Sequence, residues 1–422
     1  MEPHPEKNPL RVLHVARRFV FGEWGGTETV VWNLSRQLVA NGHRSQIAAT
    51  SALCDRMDET VDGIAIRRFA YYYPAIPLGS GPRRALDKKG GNPFSPALRR
   101  HIASLRDIDI VHCHTMGRIG NEVRLACREL GIPYVVSFHG GKYDVPAGEI
   151  REMMKPLRGT LQYGRILDIA HGTSRFLPDA AGIITVGRNE LEPARARLPG
   201  KPVEYIPNGV DVSRFARDPG VSFRATNGIP RDVPLVLCVS RIDYQKNQRA
   251  LVESAGLLAR EGTGVHVALV GPVTAARYSD DIRQRVEQLG LSGRFTLVAG
   301  LPPDSPLLPA AYREADVFVL PSLHEPFGIV VLEAWASGLP VVAAAVGGLR
   351  ELVADGDSGL LFDPHSPEQL AAHLRTLLAR SELRRTLAER GRRIVEHEYS
   401  WERVAEQTVA FYRLFLPRRD RS

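Results

Sequence analysis

Two glutamates, Glu325 and Glu333, lie in the apolar stretch HEPFGIVVLEAWASGLPVV, residues 324–342. An ionised carboxylate in an apolar setting is costly unless a hydrogen-bond donor or a cation compensates it, so the protein or a ligand must supply that partner. The pattern predicts a helix from about Gly328 to Ser337, with Glu325 in the preceding turn and Glu333 inside the helix. Glu333 could accept two hydrogen bonds from a diol such as a ribose. The alternative is a structural Glu333 bonded within the protein.

Two cations, Arg241 and Lys246, stand five residues apart in the loop SRIDYQKNQ, residues 240–248, directly after a predicted strand. Arginine offers phosphate oxygens a planar fork, and lysine offers a compact charge. Residues 326–328 would let a ligand approach the backbone N–H groups of a helix N-terminus, where the helix dipole favours anions. The combination suits a diphosphate, and the alternative is a pair of exposed loop cations.

The first βα loop contains the pair Gly25 and Gly26, which permits close approach of a ligand to the backbone. Thr27 is expected to cap the following helix, which should end at Asn41 and Gly42. The spacing GxGxxG of dinucleotide-binding proteins is absent, which argues against a Rossmann oxidoreductase.

Three histidines lie at predicted strand ends. His139 is followed by two glycines and could donate a hydrogen bond to a substrate hydroxyl, although a histidine bonded to backbone is the alternative. His112 and His114 alternate on one face of their strand and are interpreted as a polar lining, because no carboxylate or cysteine stands at a spacing typical of metal ligands. The pairs Asp107/Asp109 and Asp355/Asp357 read as a strand start and a turn, so we expect no metal site.

The rest of the chain alternates strand and helix patterns, which predicts parallel sheets covered on both faces. A segment of weak periodicity, residues 212–232, is interpreted as a linker, after which the alternation restarts. The expected architecture is α/β, with two doubly wound Rossmann-like domains. Ligands of such sheets bind outside the carboxyl ends of the strands.

Composition places this chain of 422 residues among ordinary globular enzymes, with 44% hydrophobic and 24% charged residues. The N-terminus lacks a secretory pattern, no long apolar run is present, and four scattered cysteines suggest reduced thiols, so a cytoplasmic protein is expected. Much of the net charge of +8 lies in residues 61–106, which hold nine basic residues against two aspartates. We expect an anionic partner here, or a solvated basic face. The nine are Arg67, Arg68, Arg83, Arg84, Lys88, Lys89, Arg99, Arg100 and Arg106.

Together these motifs resemble the family-four retaining glycosyltransferases of the GT-B fold. The segment EPFGIVVLE, with Glu325 and Glu333 eight apart, resembles that family's E-x7-E motif, and Arg241 and Lys246 resemble its arginine–lysine pair. The resemblance covers essentially the whole chain. Further matching segments are Gly25-Gly26, IPNGVD (206–211), His139 and YSWERVAE (399–406).

The resemblance implies an acceptor-binding domain over residues 1–212 and a nucleotide-sugar-binding domain over residues 213–396. The two would face a cleft, and residues 397–422 would form a helix that crosses back to the first domain. It also implies the site residues. The catalytic set would be His139, Arg241, Lys246 and Glu325. The donor-binding set would be Gly25, Gly26, Arg241, Lys246, Gly300, Leu301, Glu325, Phe327, Gly328, Ile329 and Glu333. The acceptor side would include His114, Tyr72 and Arg188.

In these roles Glu333 would bond the ribose, Glu325 the sugar hydroxyls, and Arg241 and Lys246 the departing diphosphate. Many relatives carry serine or threonine where this chain has Gly187-Arg188. We expect a retaining transferase, without cofactor or metal, that moves a sugar from a nucleoside-diphosphate sugar, such as a UDP-sugar, to a carbohydrate or lipid-linked acceptor. Polysaccharide or glycoconjugate synthesis is the expected setting. We expect that residues 83–100 contact an anionic membrane surface and that nucleic acid is not a partner. The alternatives are an epimerase or hydrolase of the same fold, or a non-catalytic nucleotide-sugar-binding protein.

Overall fold

The computed structural model describes residues 8–21, 25–140, 154–302 and 304–417. The chain divides into two compact units. Unit 1 comprises residues 1–207 and 404–422, and unit 2 comprises residues 208–403. Each unit is built on a mainly parallel sheet with buried strands, as the alternation of strand and helix patterns predicts.

Unit 1 contains an eight-stranded sheet in the order β10-β9-β7-β6-β1-β2-β4-β3, where only β3 is antiparallel to its neighbour. A separate antiparallel pair joins β5 to β8. The strands are β1 (Arg11–Arg18), β2 (Arg44–Thr50), β3 (Asp58–Val61), β4 (Ile64–Phe69), β5 (Ala75–Ile76), β6 (Ile110–Cys113), β7 (Tyr134–Phe138), β8 (Leu161–Gln162), β9 (Gly182–Thr185) and β10 (Val203–Tyr205).

Helices cover the unit 1 sheet and bury apolar stripes against it, as the helix Gly26–Ala40 does with Val30, Val31, Leu34 and Leu38. The described helices of this unit are Gly26–Ala40, Ser80–Lys88, Pro96–Ser104, Gly117–Leu130, Gly164–Ala170, Phe176–Asp179 and Leu191–Arg197. The last helix, Trp401–Arg413, begins in unit 2 and lies from residue 404 onward in unit 1.

Unit 2 contains a six-stranded sheet in the order β13-β12-β11-β14-β15-β16, and all its neighbouring pairs are parallel. The strands are β11 (Leu235–Val239), β12 (His266–Val270), β13 (Phe295–Val298), β14 (Val317–Leu320), β15 (Val341–Ala344) and β16 (Leu360–Phe362). The helices are Val212–Ala216, Phe223–Thr226, Gln248–Arg260, Ala276–Gln288, Leu307–Glu314, Ile329–Ala336, Leu349–Leu352, Pro367–Ala379 and Ser381–Glu398.

The interpretation of residues 212–232 as a linker is wrong. This segment forms two short helices, and Phe215 and Phe223 are buried in the unit 2 core. Arg224 donates to Glu314 O and pairs with Asp316, which ties the segment to the sheet. Its glycines and prolines break the helical period, which is why the pattern did not show that the segment packs.

The prediction that Thr27 caps the first long helix is also wrong. That helix begins at Gly26, with Gly25 as its N-cap, and no side chain caps it. Its C-terminal end was predicted correctly, with Asn41 as C-cap and Gly42 at a φ of 86°. Among the described residues, no helix combines the length and the apolar character that crossing a membrane requires.

Candidate functional site

Two loops of unit 2 meet because β11 and β14 are paired neighbours, so the segments after them leave the same edge of the sheet. The backbone N–H of Leu323 donates to Gln245 O at 2.8 Å, and the side-chain amide of Gln245 donates to His324 O at 3.1 Å. The loop that carries the two cations is therefore bonded to the loop that carries Glu325.

Lys246 and Glu325 form an ion pair, with Lys246 Nζ at 2.5 Å from Glu325 Oε2. Both side chains are largely buried, with exposed fractions of 13% and 12%. Ser322 Oγ adds a contact of 3.4 Å to the same carboxylate oxygen. Lys246, which is expected to neutralise a diphosphate, and Glu325, which is expected to hold sugar hydroxyls, are thus ion-pair partners within the protein.

Arg241 is more open, with an exposed side-chain fraction of 35%, and it lies 3.2 Å from both Asp243 Oδ2 and Gln245 Oε1. The loop that holds it is well bonded. Asp243 accepts from the backbone N–H of Lys246 at 3.2 Å, and Gln248 donates to Arg241 O at 2.7 Å. These bonds define the path of the backbone between the two cations before any ligand binds.

Gly328 is the N-cap of the helix Ile329–Ala336 and has a φ of 98°, a backbone conformation that favours glycine. The neighbouring loop lies close, because the N–H of Gly348 donates to Glu325 O at 2.9 Å. Phe327 is only 6% exposed and its side chain packs in the unit 2 core. Phe327 therefore offers a ligand its backbone and not its ring, while Ile329 is the first helical residue and is half-buried.

Glu333 finds one partner within the protein, because the hydroxyl of Tyr312 donates to its Oε2 at 2.7 Å. Burial raises the pKa of Glu333 to about 7, and the bond from Tyr312 opposes that rise only in part. Burial also raises the pKa of Tyr312, so its hydroxyl keeps its proton. The structural alternative for Glu333 is thus partly realised, because Tyr312 donates to Oε2 and Arg214 interacts electrostatically with the carboxylate, while no hydrogen bond of the described residues occupies Oε1.

Gly300 and Leu301 follow β13 at the same edge of the sheet. Gly300 has a φ of 104°, and its N–H donates to Val298 O at 2.8 Å. Leu301 is half-buried against the unit 2 core. Both residues thus follow a strand end of unit 2, and the role beside a nucleotide base that the resemblance implies stays a prediction.

In unit 1, four histidines come together on one face of the sheet. His14 on β1 and His112 on β6 are register partners, and His114 lies two residues farther on the same side. His14 Nδ1 is 2.9 Å from His114 Nε2, and His114 Nδ1 is 2.9 Å from His139 Nε2. The rings of His112 and His114 are 3.9 Å apart between centroids.

The four rings are uncharged at neutral pH. Burial lowers the pKa of His14 to about 3 and that of His139 to about 4. Burial lowers the pKa values of His112 and His114 well below the usual range as well, with a further contribution from the neighbouring rings. His112 is bonded on both sides, at 2.5 Å to Tyr412 Oη and at 2.6 Å to Ser137 Oγ.

The contacts recorded for the remaining predicted residues of unit 1 do not include the histidine cluster. Tyr72 exchanges two backbone hydrogen bonds with Phe94 and stacks on its ring at 5.7 Å. Arg188 lies over the ring of Tyr205 at 4.3 Å. A Cβ at Gly26 would meet no atom of the described residues within 4 Å, so the backbone there is open to approach.

The basic segment is less uniform than its composition predicts. Arg68 is 2% exposed and binds Phe19 O and Glu59, so including it in a basic surface is wrong. Asp87 is buried and accepts from the hydroxyls of Tyr71 and Tyr73 at 2.7 and 2.9 Å. The exposed basic side chains of the segment are Arg67, Arg83, Arg84, Lys88, Lys89, Arg100 and Arg106.

Several residues of the site were not predicted. His14, Ser137 and Tyr412 complete the unit 1 cluster, and Tyr312 and Ser322 contact the two glutamates of unit 2. A signal for His14 exists in the sequence, because it interrupts the apolar strand LRVLHVA. Tyr312 and Tyr412 lie in ordinary amphipathic helices, where an aromatic residue is usually part of the core, so their sequence pattern gives no signal of a functional contact.

Two family models match the chain. The model described as "Glycosyltransferase Family 4" matches residues 24–214, and the model described as "Glycosyl transferases group 1" matches residues 222–394.

Curated relatives match along most of the chain. It is 40% identical over 409 residues to a D-inositol 3-phosphate glycosyltransferase of Geodermatophilus obscurus, covering 93% of this chain and 85% of the relative. It is 30% identical over 416 residues to the enzyme of the same name from a Nocardioides species, covering 93% and 86%.

Solved structures share the fold. A sucrose-phosphate synthase of Thermosynechococcus elongatus superposes with a TM-score of 0.73 at 23% identity, over 96% of this chain and 98% of that one. Anabaena HepE in complex with UDP and glucose superposes with a TM-score of 0.70 at 20% identity, over 96% and 100%. At these identities the likeness concerns the fold alone.

Proposed function

This chain belongs to the family-four glycosyltransferases and has the GT-B fold, and from that premise we propose that it transfers a sugar from a nucleoside-diphosphate sugar to an acceptor with retention of configuration. The observation that carries the proposal is the bonded pair of loops in unit 2. These loops hold Arg241, Lys246 and Glu325 at the carboxyl edge of one sheet.

The donor is proposed to bind along this edge. Glu333 accepts from a ribose hydroxyl with the oxygen that Tyr312 leaves available, and Glu325 accepts from hydroxyls of the sugar. Arg241 and Lys246 bind the diphosphate, whose negative charge grows as the glycosidic bond breaks. Because that growth occurs towards the transition state, both cations act mainly on the rate of the chemical step.

Retention without a metal is part of the proposal. The acceptor attacks on the face that the diphosphate leaves, and a donor phosphate oxygen takes the acceptor proton. The Asp-x-Asp pairs support a metal-free site, because Asp109 binds Arg11 at 2.7 Å and Asp355 accepts from the backbone N–H of Leu361 at 2.9 Å. Both Asp-x-Asp pairs therefore already have bonding partners within the protein.

The donor nucleotide is proposed to be UDP, which is the nucleotide named for the HepE complex of the same fold. For the acceptor we propose D-inositol 3-phosphate or another phosphorylated polyol, because the relatives at 30–40% identity carry that name. A carbohydrate acceptor of polysaccharide or glycoconjugate synthesis is the second candidate and is tested beside it.

A cytoplasmic location at an anionic membrane surface is also proposed, and exposed apolar side chains of unit 1 support it. Ile76 and Leu161 pair across the two short strands β5 and β8 and are 59% and 74% exposed. Ile166 and Ile169 follow on one face of the helix Gly164–Ala170 and are 71% and 83% exposed.

Basic residues adjoin this apolar surface. The helix Ser80–Lys88 contacts the short 3-10 helix Lys155–Leu157, which lies directly before β8. Exposed apolar side chains flanked by lysine and arginine are typical of proteins that bind anionic lipid surfaces. The basic side chains are Arg83, Arg84, Lys88, Lys89, Lys155, Arg158 and Arg165.

The testing experiment is a matrix of UDP-, GDP- and ADP-sugars against D-inositol 3-phosphate, a simple sugar and no acceptor. Release of the nucleoside diphosphate and the mass of the product are followed together. We expect fast turnover only with a donor and an acceptor, and NMR of the product should show the donor's anomeric configuration. Equal turnover without acceptor would favour the hydrolase or epimerase, and tight donor binding without turnover would favour a binding protein.

A further inference from the structure

Unit 1 contains a buried carboxylate without a partner. Glu122, on the helix Gly117–Leu130, is 3% exposed and makes no hydrogen bond or ion pair with any of the described residues. Burial raises its pKa, and the charge of Arg99 opposes that rise. Its oxygens are not among the fully enclosed side-chain atoms that lack a partner, which include His14 Nε2 and His139 Nδ1. The carboxylate therefore keeps a small accessible surface, where it can accept a hydrogen bond from a ligand.

Two tyrosines lie close to this carboxylate. Burial raises the pKa of Tyr72, and the hydroxyl of Tyr163 and the carboxylate of Glu122 raise it further. The packing agrees, because a Cβ at Gly164, directly after Tyr163, would collide with the guanidinium of Arg118, which stands one helical turn before Glu122 on the same helix face. Tyr72 is 39% exposed. Tyr72, Tyr163 and Glu122 thus form a polar cluster that solvent reaches at Tyr72.

The neighbouring Arg118 does not neutralise Glu122. Its guanidinium donates to both carboxylate oxygens of Asp168, at 2.9 and 3.0 Å, and to Asn92 O at 2.9 Å. It also lies over the ring of Phe94 at 5.0 Å. The polar cluster therefore keeps an uncompensated acceptor, which favours a ligand that donates hydroxyl groups and disfavours an anionic group at this point.

Exposed apolar side chains begin directly beside the polar cluster. The N–H of Tyr163 donates to Pro74 O at 3.2 Å, at the end of the β5–β8 pair that lies nearest to the cluster. Ile76 and Leu161 pair two residues farther along their strands, roughly 7 Å away, and are 59% and 74% exposed. Ile166, in the first turn of the helix that follows Tyr163, is 71% exposed. A polar and an apolar surface thus adjoin within unit 1.

We propose that the acceptor is amphipathic. Its hydroxyl-bearing head group binds Tyr72, Tyr163 and Glu122, and its apolar chain lies along the side chains of Ile76 and Leu161. The apolar side chains then bind part of the substrate, which is a role beyond attachment to a membrane. The inference rests on the proposed function for calling this ligand the acceptor, but its binding is a property of the free protein and is measured without a donor.

Methyl and octyl β-glucoside are the probes, because they share one hydroxyl-rich head group and differ only in the alkyl chain. Isoleucine-methyl NMR of the full-length protein follows their binding below the micelle concentration. We expect octyl glucoside to bind at least about tenfold more tightly than methyl glucoside, because its chain buries apolar surface. It should also shift the methyl signals of Ile76 and Ile166. Leu161→Ser should remove most of the gain from the chain and leave methyl glucoside binding unchanged.

Glu122→Gln tests the head group. It should weaken binding of both glucosides by about tenfold, because a charged acceptor is lost, and it should leave the advantage of the octyl chain in place. The melting temperature should not fall, since an unpaired buried carboxylate is removed. A purely structural Glu122 predicts the reverse, a lower melting temperature with unchanged affinities. Val221→Ser, at an exposed apolar position of unit 2, is the control and should change neither quantity.

Equal affinity for the two glucosides, or no binding of octyl glucoside, would overturn the inference in favour of a water-soluble acceptor. Octyl glucoside binding that Glu122→Gln leaves unchanged would overturn it in favour of an apolar surface that meets membrane lipid only. A transfer assay with UDP-, GDP- and ADP-sugars separates this result from the proposed function. Chain-dependent binding without turnover of any donor would keep the amphiphile site and contradict the proposed function, whereas turnover with a water-soluble acceptor and no chain dependence would do the opposite.

Discussion

Lys246 Nζ lies 2.5 Å from Glu325 Oε2, although the two residues are 79 positions apart in the chain. Without a donor, the cation and the carboxylate neutralise one another, so neither is left buried and unpaired. Donor binding would divide this pair between two parts of one ligand, the diphosphate and the sugar. Under the proposed function, Lys246 would contribute both to the stability of the free protein and to donor binding, so substitutions of Lys246 and of Arg241 should differ in their effect on stability.

Arg241→Ala and Lys246→Ala should both lower kcat, by roughly thirtyfold or more, because each removes a cation from a diphosphate that gains charge in the transition state. Their stabilities should differ. Lys246→Ala leaves Glu325 unpaired and should cost about 3 kcal/mol, whereas the half-open Arg241 pairs with Asp243 and should cost less than about 1 kcal/mol.

Steady-state kinetics and urea unfolding of both variants check this prediction. The control is Lys246→Met combined with Glu325→Gln, which removes both charges and should regain most of the lost stability without regaining activity. A fall in kcat of less than about threefold in both single variants, with folding intact, would remove the two cations from the mechanism.

Glu333→Gln should weaken binding of the nucleoside diphosphate by roughly tenfold to a hundredfold, because a charge-assisted acceptor of the ribose is lost. Stability should not fall, since the substitution also removes a carboxylate whose burial is unfavourable. Calorimetric titration and melting curves measure the two effects. Tyr312→Phe is the matched control, because it removes the protein's own bond to Glu333 while leaving the carboxylate for the ligand. Equal affinity of Glu333→Gln and the unmodified protein would contradict the ribose role.

The pKa of Glu333, raised to about 7, predicts a pH dependence of donor binding. Below pH 7 the free protein holds the carboxyl protonated and must lose that proton before the ribose donates to an anion. Affinity for the nucleoside diphosphate should therefore rise between about pH 6 and pH 8 and then level off. The same titration on Glu333→Gln should give a flatter profile, and parallel profiles would show that another group is responsible.

The buried histidines predict loss of stability in acid. Their pKa values are lowered in the folded protein, to about 3 for His14, while the ordinary value near 6.5 applies in the unfolded chain. The unfolded state therefore binds more protons below pH 6.5, and the free energy of unfolding falls as pH decreases towards 3. His14→Asn should lessen this slope by about 1.4 kcal/mol per pH unit. Urea unfolding between pH 7 and pH 4 measures the slope of the free energy of unfolding with pH. His365→Asn, at an exposed position, is the control. Equal slopes in His14→Asn and the unmodified protein would refute the prediction.

Vesicle flotation tests the membrane proposal. The chain should float with anionic vesicles at low salt and be released at high salt, because the basic side chains act through screened charges. Ile166→Ser with Ile169→Ser should weaken flotation at every salt concentration, and Arg83→Gln with Arg84→Gln should weaken it about thirtyfold at low salt only. Val221→Ser, at an exposed apolar position of unit 2, is the control. Absence of flotation at low salt would contradict the membrane proposal and favour the interpretation of the basic side chains as a solvated face.

Sequence reasoning located the strands of both sheets well where the strands are continuous apolar runs, such as LVLCV in β11 and HVALV in β12. Such runs are typical of parallel strands buried on both faces, and the predicted fold class is confirmed. It failed at residues 212–232, where short helices with proline and glycine between them pack against the core. Hydrophobic periodicity needs more than one turn to be visible, and each of these helices is about one turn long.

The amino-acid sequence by itself determined the family and most of the alternation of strands and helices, and it predicted the residues whose chemistry suits a donor, because these inferences depend on local patterns and short motifs. Only the tertiary structure decided which of those residues meet. Lys246 contacts Glu325, Tyr312 contacts Glu333, and His14 lies against His114, a hundred positions away. Such contacts follow from the lateral order and register of strands, which are set by the packing of the whole sheet. Strand order and register correspond to no sequence motif of fixed spacing, so they cannot be read from the sequence alone.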